Sequence, residues 1–119
     1  MSKIAFVTDK YINFNDAKIH IEDRGLQFGD SVYEVVSVFN KNLIDLKFHL
    51  KRLKYSLKEL NIKFIMEDKK LIEIFNNIAN INNLKNGIIY LQITRGVQSR
   101  EHLYDKSIKP NIIIYTQNK

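Results

Sequence analysis

Two hydrophobic rhythms divide the chain. The first has a period of two. Ile4–Val7 and Lys10–Asn13 read as a pair of short strands with Asp9 near the turn between them. Ala17, Ile19 and Ile21 alternate with Lys18 and His20, which predicts a further strand over Ala17–Ile21. A glycine-punctuated loop, Arg24–Asp30, leads into the strand Ser31–Phe39. In that strand Val32, Glu34 and Val36 face one way, and Tyr33, Val35, Ser37 and Phe39 the other. Asn40-Lys41-Asn42 is a polar turn, from which Leu43–Leu46 returns as a hairpin partner.

The rhythm then becomes helical. Leu50, Leu53, Leu57 and Leu60 recur at steps of three, four and three, giving a helix over Phe48–Leu60 with one apolar stripe and a stop at Asn61. A second helix runs from Glu67 to Asn80, turning Leu71, Phe75 and Ile78 inward, with Glu67 and Asp68 in the first turn where the dipole favours acid. Ile88–Thr94 is apolar on both faces, as a central strand should be. A long loop, Arg95–Lys109, precedes the last strand, Asn111–Thr116, and Pro110 stands just ahead of it where a lost donor does little harm. This order predicts an α+β two-layer sandwich: an antiparallel sheet of about five to seven strands with two helices packed on one face.

Composition narrows the setting. A length of 119 residues suits one domain, residues 1–119, with a single core. Cysteine is absent, which excludes disulfides and thiolate metal sites and suits a reducing cytoplasm; no metal site is expected. Ile4–Val7 is too short for a signal or membrane segment. The net charge of +6 permits attraction to anions. With Lys51, Lys54 and Lys58 along one helix flank, it allows the alternative of a small basic nucleic-acid-binding module. Against that stand the lack of an interleaved aromatic platform and of any recognised motif.

Three places carry candidate chemistry. Tyr33 and Val35 share a strand face near a glycine-rich turn, so a phenol and an apolar wall could line a small-molecule pocket; a half-buried core tyrosine fits the same pattern. Arg52 lies across the leucine stripe from the lysines, one helical turn after His49. An arginine there can hold a phosphate by its planar fork, or lay its stem over the core as a surface residue. Arg100 and His102 share a facing if their segment is extended; they could meet one carboxylate or form a solvated cluster.

Five fragments in register then carry a resemblance: Glu22-Asp23-Arg24-Gly25, Gln27-Phe28-Gly29-Asp30, Val32-Tyr33-Glu34-Val35-Val36, His49-Leu50-Lys51-Arg52-Leu53, and Thr94-Arg95-Gly96 running on to Arg100-Glu101-His102. Together they resemble the N-terminal domain of the fold-type IV, pyridoxal-phosphate-dependent aminotransferases, and within that group the D-amino-acid (D-alanine) transaminases. The resemblance implies that Arg52 binds the cofactor phosphate, with His49 orienting it. It implies that Arg100 and His102 take the substrate α-carboxylate across a dimer interface, with Tyr33 assisting and Val35 as a pocket wall. Branched-chain transaminases and aminodeoxychorismate lyases share the fold and remain alternatives, although the Arg-x-His pair favours the D-amino-acid branch. Phe48 and Ser31 depart mildly from the pattern, Ser31 standing where glycine is frequent.

The Schiff-base lysine of this family belongs to a second domain. No lysine of this chain matches it, so no catalytic residue is expected here. Pyridoxal 5'-phosphate is expected in the complete enzyme and is not expected to be held stably by this chain alone, since one solvated charged hydrogen bond contributes only about 1.5–3 kcal/mol. The expected partners are amino and 2-oxo acids, a separately encoded lysine-bearing half or further copies of the chain, and neither nucleic acid nor membrane. A truncated relic that folds and self-associates is the other expectation.

Overall fold

The structure is a computed structural model that describes residues 3–119. Its strands β1 (Ile4–Val7), β2 (Lys10–Asn13), β3 (Ser31–Phe39), β4 (Asn42–Leu43), β5 (Gly87–Thr94) and β6 (Asn111–Asn118) join in the order β2-β1-β6-β5-β3-β4. Every neighbouring pair is antiparallel. The longest ladders are β3 with β5 (Ser31 opposite Thr94) and β5 with β6 (Gly87 opposite Asn118). These put β5 and β6 in the middle of the sheet, where runs such as Ile88-Ile89 and Ile112-Ile113-Ile114 belong.

Helices α2 (Leu46–Glu59) and α3 (Asp68–Ile81) cover one face. Period three to four on the helices meets period two on the strands. Leu50, Leu53 and Leu57 from α2 and Leu71, Ile74, Phe75 and Ile78 from α3 are buried with Val36, Ile89, Leu91, Ile93, Ile112 and Ile114. Full burial of each such side chain is worth about 1.5–3 kcal/mol, so this layer is what holds the two-layer sandwich together. The expected α+β sandwich with an antiparallel sheet is the observed fold. The alternation on β3 also holds, with Val32, Glu34, Val36 and Val38 buried under the helices and Tyr33 and Phe39 each 63% exposed on the uncovered face.

Several local expectations are corrected. Ala17–Ile21 forms no strand. Its alternation finds no free ladder, and Ile21 is 76% exposed as the segment crosses toward a single bridge between Asp23 and Val97. The Arg24–Asp30 segment is not simply a loop but contains a short helix, α1 (Arg24–Phe28). The Asp23 side chain accepts from Gly25 N–H at its start, and Gly29 ends it at φ 64°. The hairpin partner that returns along β3 is only Asn42–Leu43, not Leu43–Leu46, because Asp45 takes φ 55° and α2 begins at Leu46. The fourth leucine of the stripe, Leu60, lies beyond the last helical residue and is 42% exposed.

Candidate functional site

Glu34 is the unexpected centre of the first group. It is placed by strand alternation on the buried face of β3, where a lone carboxylate would be costly. Two residues one helical turn apart on α2 supply its partners. Arg52 donates from Nε to Oε2 at 2.8 Å and from Nη2 to Oε1 at 2.8 Å, and His49 Nδ1 lies 2.7 Å from Oε1. With the carboxylate ionised, that histidine nitrogen is the donor. Burial pushes the Glu34 carboxyl up, but the hydrogen bonds from Arg52 and His49 outweigh it and hold it below the usual range. In turn the hydrogen bonds and charge of Glu34 raise the Arg52 guanidinium above its usual value. The Arg52 side chain is still 67% exposed. Its Nε and one hydrogen of Nη2 are spent on Glu34, which leaves Nη1 and the other Nη2 hydrogen without a partner among the described residues. That donor set fits a phosphate.

Tyr33 and Val35 lie on the opposite, uncovered face of β3. Tyr33 begins an aromatic row across the strands: its ring stacks on Tyr90 at 5.8 Å, Tyr90 meets Tyr115 at 5.4 Å, and Tyr115 meets Phe14 at 5.8 Å. The Tyr90 hydroxyl donates to Gln92 Oε1 at 3.0 Å, and Gln92 Nε2 donates to Ser31 Oγ at 2.8 Å. Ser31 thus contributes a side-chain acceptor where glycine would have none. Burial pushes the Tyr90 phenol above its usual value, with Tyr115 and Tyr33 adding to it. The row follows from matching register, Tyr33 opposite Gln92 and Tyr90 opposite Tyr115, which sequence alone does not disclose.

Arg100 and His102 form a separate group. Both meet the ring of Phe28 at the end of α1, Arg100 with its guanidinium carbon 5.4 Å from the centroid and His102 edge-on at 5.7 Å. Among the described residues, no hydrogen bond or ring contact joins this pair to Tyr33 or Arg52. Behind it sits a junction that the sequence did not single out. Asp30 Oδ2 accepts from Arg24 Nε at 2.9 Å and from Arg95 Nε at 2.6 Å. Arg95 also donates to the carbonyls of Leu60 and Asn61 at the end of α2, and its guanidinium carbon lies 3.7 Å from the centre of the Tyr104 ring. Burial pushes the Asp30 carboxyl up, but Arg95 and Arg24 hold it below its usual range. Two signals could have found these residues: charges beside glycines in a turn, and a glutamate on an otherwise apolar strand face.

Two surface hollows lie elsewhere. One, about 450 Å³, is lined by Ala5, Val7, Phe14, Ile19, Ile113 and Tyr115 on the uncovered face. Another, about 200 Å³, lies between Asn61, Lys63, Arg95, Tyr104 and Lys106. Tyr33, Arg52, Arg100 and His102 line neither.

A family model described as amino-transferase class IV matches residues 31–119. The chain belongs to the class IV amino-transferase family. Among curated class IV relatives, a D-alanine aminotransferase from Staphylococcus epidermidis is 34% identical over 119 residues, covering 99% of this chain and 42% of that protein. Another, from Bacillus licheniformis, is 37% identical over 102 residues, 86% of this chain and 36% of its own length. The chain therefore spans well under half the length of these relatives. Solved structures of the class agree in fold. A branched-chain amino acid aminotransferase from Escherichia coli superposes with a TM-score of 0.92 at 20% identity, over 100% of this chain and 40% of that one. A 4-amino-4-deoxychorismate lyase from Pseudomonas aeruginosa gives 0.73 at 24% identity, over 96% and 39%.

Proposed function

We propose that this chain is the recognition domain of a pyridoxal-phosphate-dependent transaminase, which moves an amino group between D-amino acids such as D-alanine and 2-oxo acids such as 2-oxoglutarate. It works with a lysine-bearing domain, on further polypeptide or on another chain. The observation that carries the reading is the Glu34-clamped Arg52, whose side chain remains 67% exposed. The names of the curated relatives support the D-alanine substrate class.

Each residue then has a physical task. Arg52 holds the cofactor phosphate by charge-assisted hydrogen bonds, and Glu34 with His49 fixes its plane before the phosphate arrives. Tyr33 presents a hydroxyl, and Val35 an apolar wall, on the uncovered sheet face. Arg100 and His102 take the substrate α-carboxylate in the site of a neighbouring copy, which accounts for their separation from Arg52 within one chain. When bound, pyridoxal phosphate supplies the electron sink that makes the substrate Cα–H bond labile.

The test is reconstitution. The chain is mixed with, or fused to, the portion of the Staphylococcus epidermidis D-alanine aminotransferase that it does not match. D-alanine, L-valine and 4-amino-4-deoxychorismate are then compared as substrates. Pyruvate formation from D-alanine supports the proposal. Turnover of either other substrate instead reassigns the domain to the branched-chain or lyase branch, and no turnover of any at any ratio argues for a relic.

A further inference from the structure

We propose that Arg24 and Phe28, on α1, are positioning residues for the carboxylate-binding pair Arg100 and His102; the inference rests on the substrate reading above and deepens it. Arg100 and His102 sit at the exposed tip of the connection between β5 and β6, where a loop would ordinarily be mobile. Three devices hold it. Arg24 donates from Nη1 to the Glu101 carbonyl at 2.6 Å and from Nη2 to the His102 carbonyl at 3.2 Å, while its Nε is fixed on Asp30. Gln98 closes the loop on itself, donating from Nε2 to the Leu103 carbonyl at 3.1 Å and accepting the Asp105 N–H at 2.6 Å. Phe28 lies between the three cationic or ring groups, with Arg24 4.5 Å, Arg100 5.4 Å and His102 5.7 Å from its centroid.

The chemistry of Arg24 fits this task beside its ion pair with Asp30. It is only 5% exposed, so it is withheld from any ligand. All three of its nitrogens have partners within this chain, and a lysine could not span the same set because it lacks the planar fork. The two carbonyls that flank His102 are thereby tied to α1. Phe28 restricts the side chains themselves, one by a cation over the ring and one by an edge contact. Both effects reduce the freedom that Arg100 and His102 must otherwise lose when a carboxylate binds.

The first experiment is NMR on the 119-residue chain, following the His102 ring and Arg100 side-chain signals and the Glu101 and His102 amides. In the parent chain the Phe28 ring current should displace the His102 and Arg100 signals from solvated values. Phe28→Leu should return them to solvated values, and Phe28→Tyr, which keeps the ring, should not. Arg24→Lys should move the Glu101 and His102 amides and broaden the loop while β5 and β6 keep their shifts. Folded Phe28→Leu and Arg24→Lys variants with unmoved signals would overturn the proposal; if either fails to fold, the other decides.

The second readout uses the reconstituted enzyme. Phe28→Leu and Arg24→Lys should raise KM for D-alanine by about two- to tenfold, the cost of ordering a freed side chain, with kcat little changed. Arg100→Gln should raise it further. An inert Arg100→Gln would refute the carboxylate assignment and leave the loop geometry to the NMR result. A sensitive Arg100→Gln with inert Phe28→Leu and Arg24→Lys would refute the positioning role alone.

Discussion

Replacing Asp30 by asparagine tests the junction on which the site loops depend. The carboxylate is 14% exposed, and the two guanidinium side chains that share it, Arg24 and Arg95, are 6% and 7% exposed. One anion between two buried cations leaves a net positive charge, which the surrounding carbonyls of Leu60, Asn61, Glu101 and His102 and the rings of Phe28 and Tyr104 partly offset. Removing the anion leaves two uncompensated charges. Deleting one partner of a buried pair costs about 3–5 kcal/mol, and asparagine, which keeps an acceptor oxygen, should fall near 3. For a domain with about 0.05–0.15 kcal/mol of stability per residue this is a large share. It corresponds to a fall in Tm of about 10 °C. Urea unfolding followed by far-ultraviolet circular dichroism and tyrosine emission measures it. The pH dependence gives a second handle. The folded carboxyl lies below its ordinary value of about 4. Its contribution is therefore complete above that value and is lost as the pH falls through the lowered folded value. Asp30→Asn should flatten this part of the acid limb. A loss under about 1 kcal/mol with an unchanged acid limb would refute the reasoning.

Other substitutions probe separate parts. Glu34→Gln should cost only about 1–2 kcal/mol, because Arg52 is largely solvated and screened, yet hydrogen exchange at Arg52 Nε should quicken. Ile78→Ala should cost about 2–5 kcal/mol at a fully buried position, whereas Tyr33→Ala should stay within about 0.5 kcal/mol in the same urea assay. Gly96→Ala should destabilise by more than about 1 kcal/mol, since Gly96 holds φ 120° and an added Cβ would run into the Lys109 carbonyl oxygen. Thermal melts of the two glycine-loop variants Gly96→Ala and Gly29→Ala would separate steric clash from backbone strain, because nothing lies within 4 Å of a Cβ at Gly29.

Much of the fold was legible because it rests on burial. Alternation assigned the two faces of β3, and the helical leucine steps located α2 and the side of it that packs. Ala17–Ile21 misled because alternation records which side chains could share a face, not whether a neighbouring strand has hydrogen-bonding groups to spare. The helix α1 was hidden by Gly25 near its start. There the glycine serves space, since a Cβ would collide with the Thr94 side chain. Asp23 before it and Gly29 after it were the caps that could have revealed it. Arg52 stood out by its place beside the leucine stripe, but Glu34 did not, because facing alone does not say which helix will bring a partner. Asp30, Arg24 and Arg95 meet only after residues far apart in sequence fold together.

The most direct measurement is the dissociation constant of pyridoxal phosphate from the reconstituted enzyme carrying parent chain, Arg52→Gln or Glu34→Gln. Loss of the charged fork should weaken binding by about ten- to a hundredfold, with Glu34→Gln falling between that variant and the parent. Equal affinities for all three would mean that the clamped arginine anchors no phosphate, and the proposed function would lose its foundation.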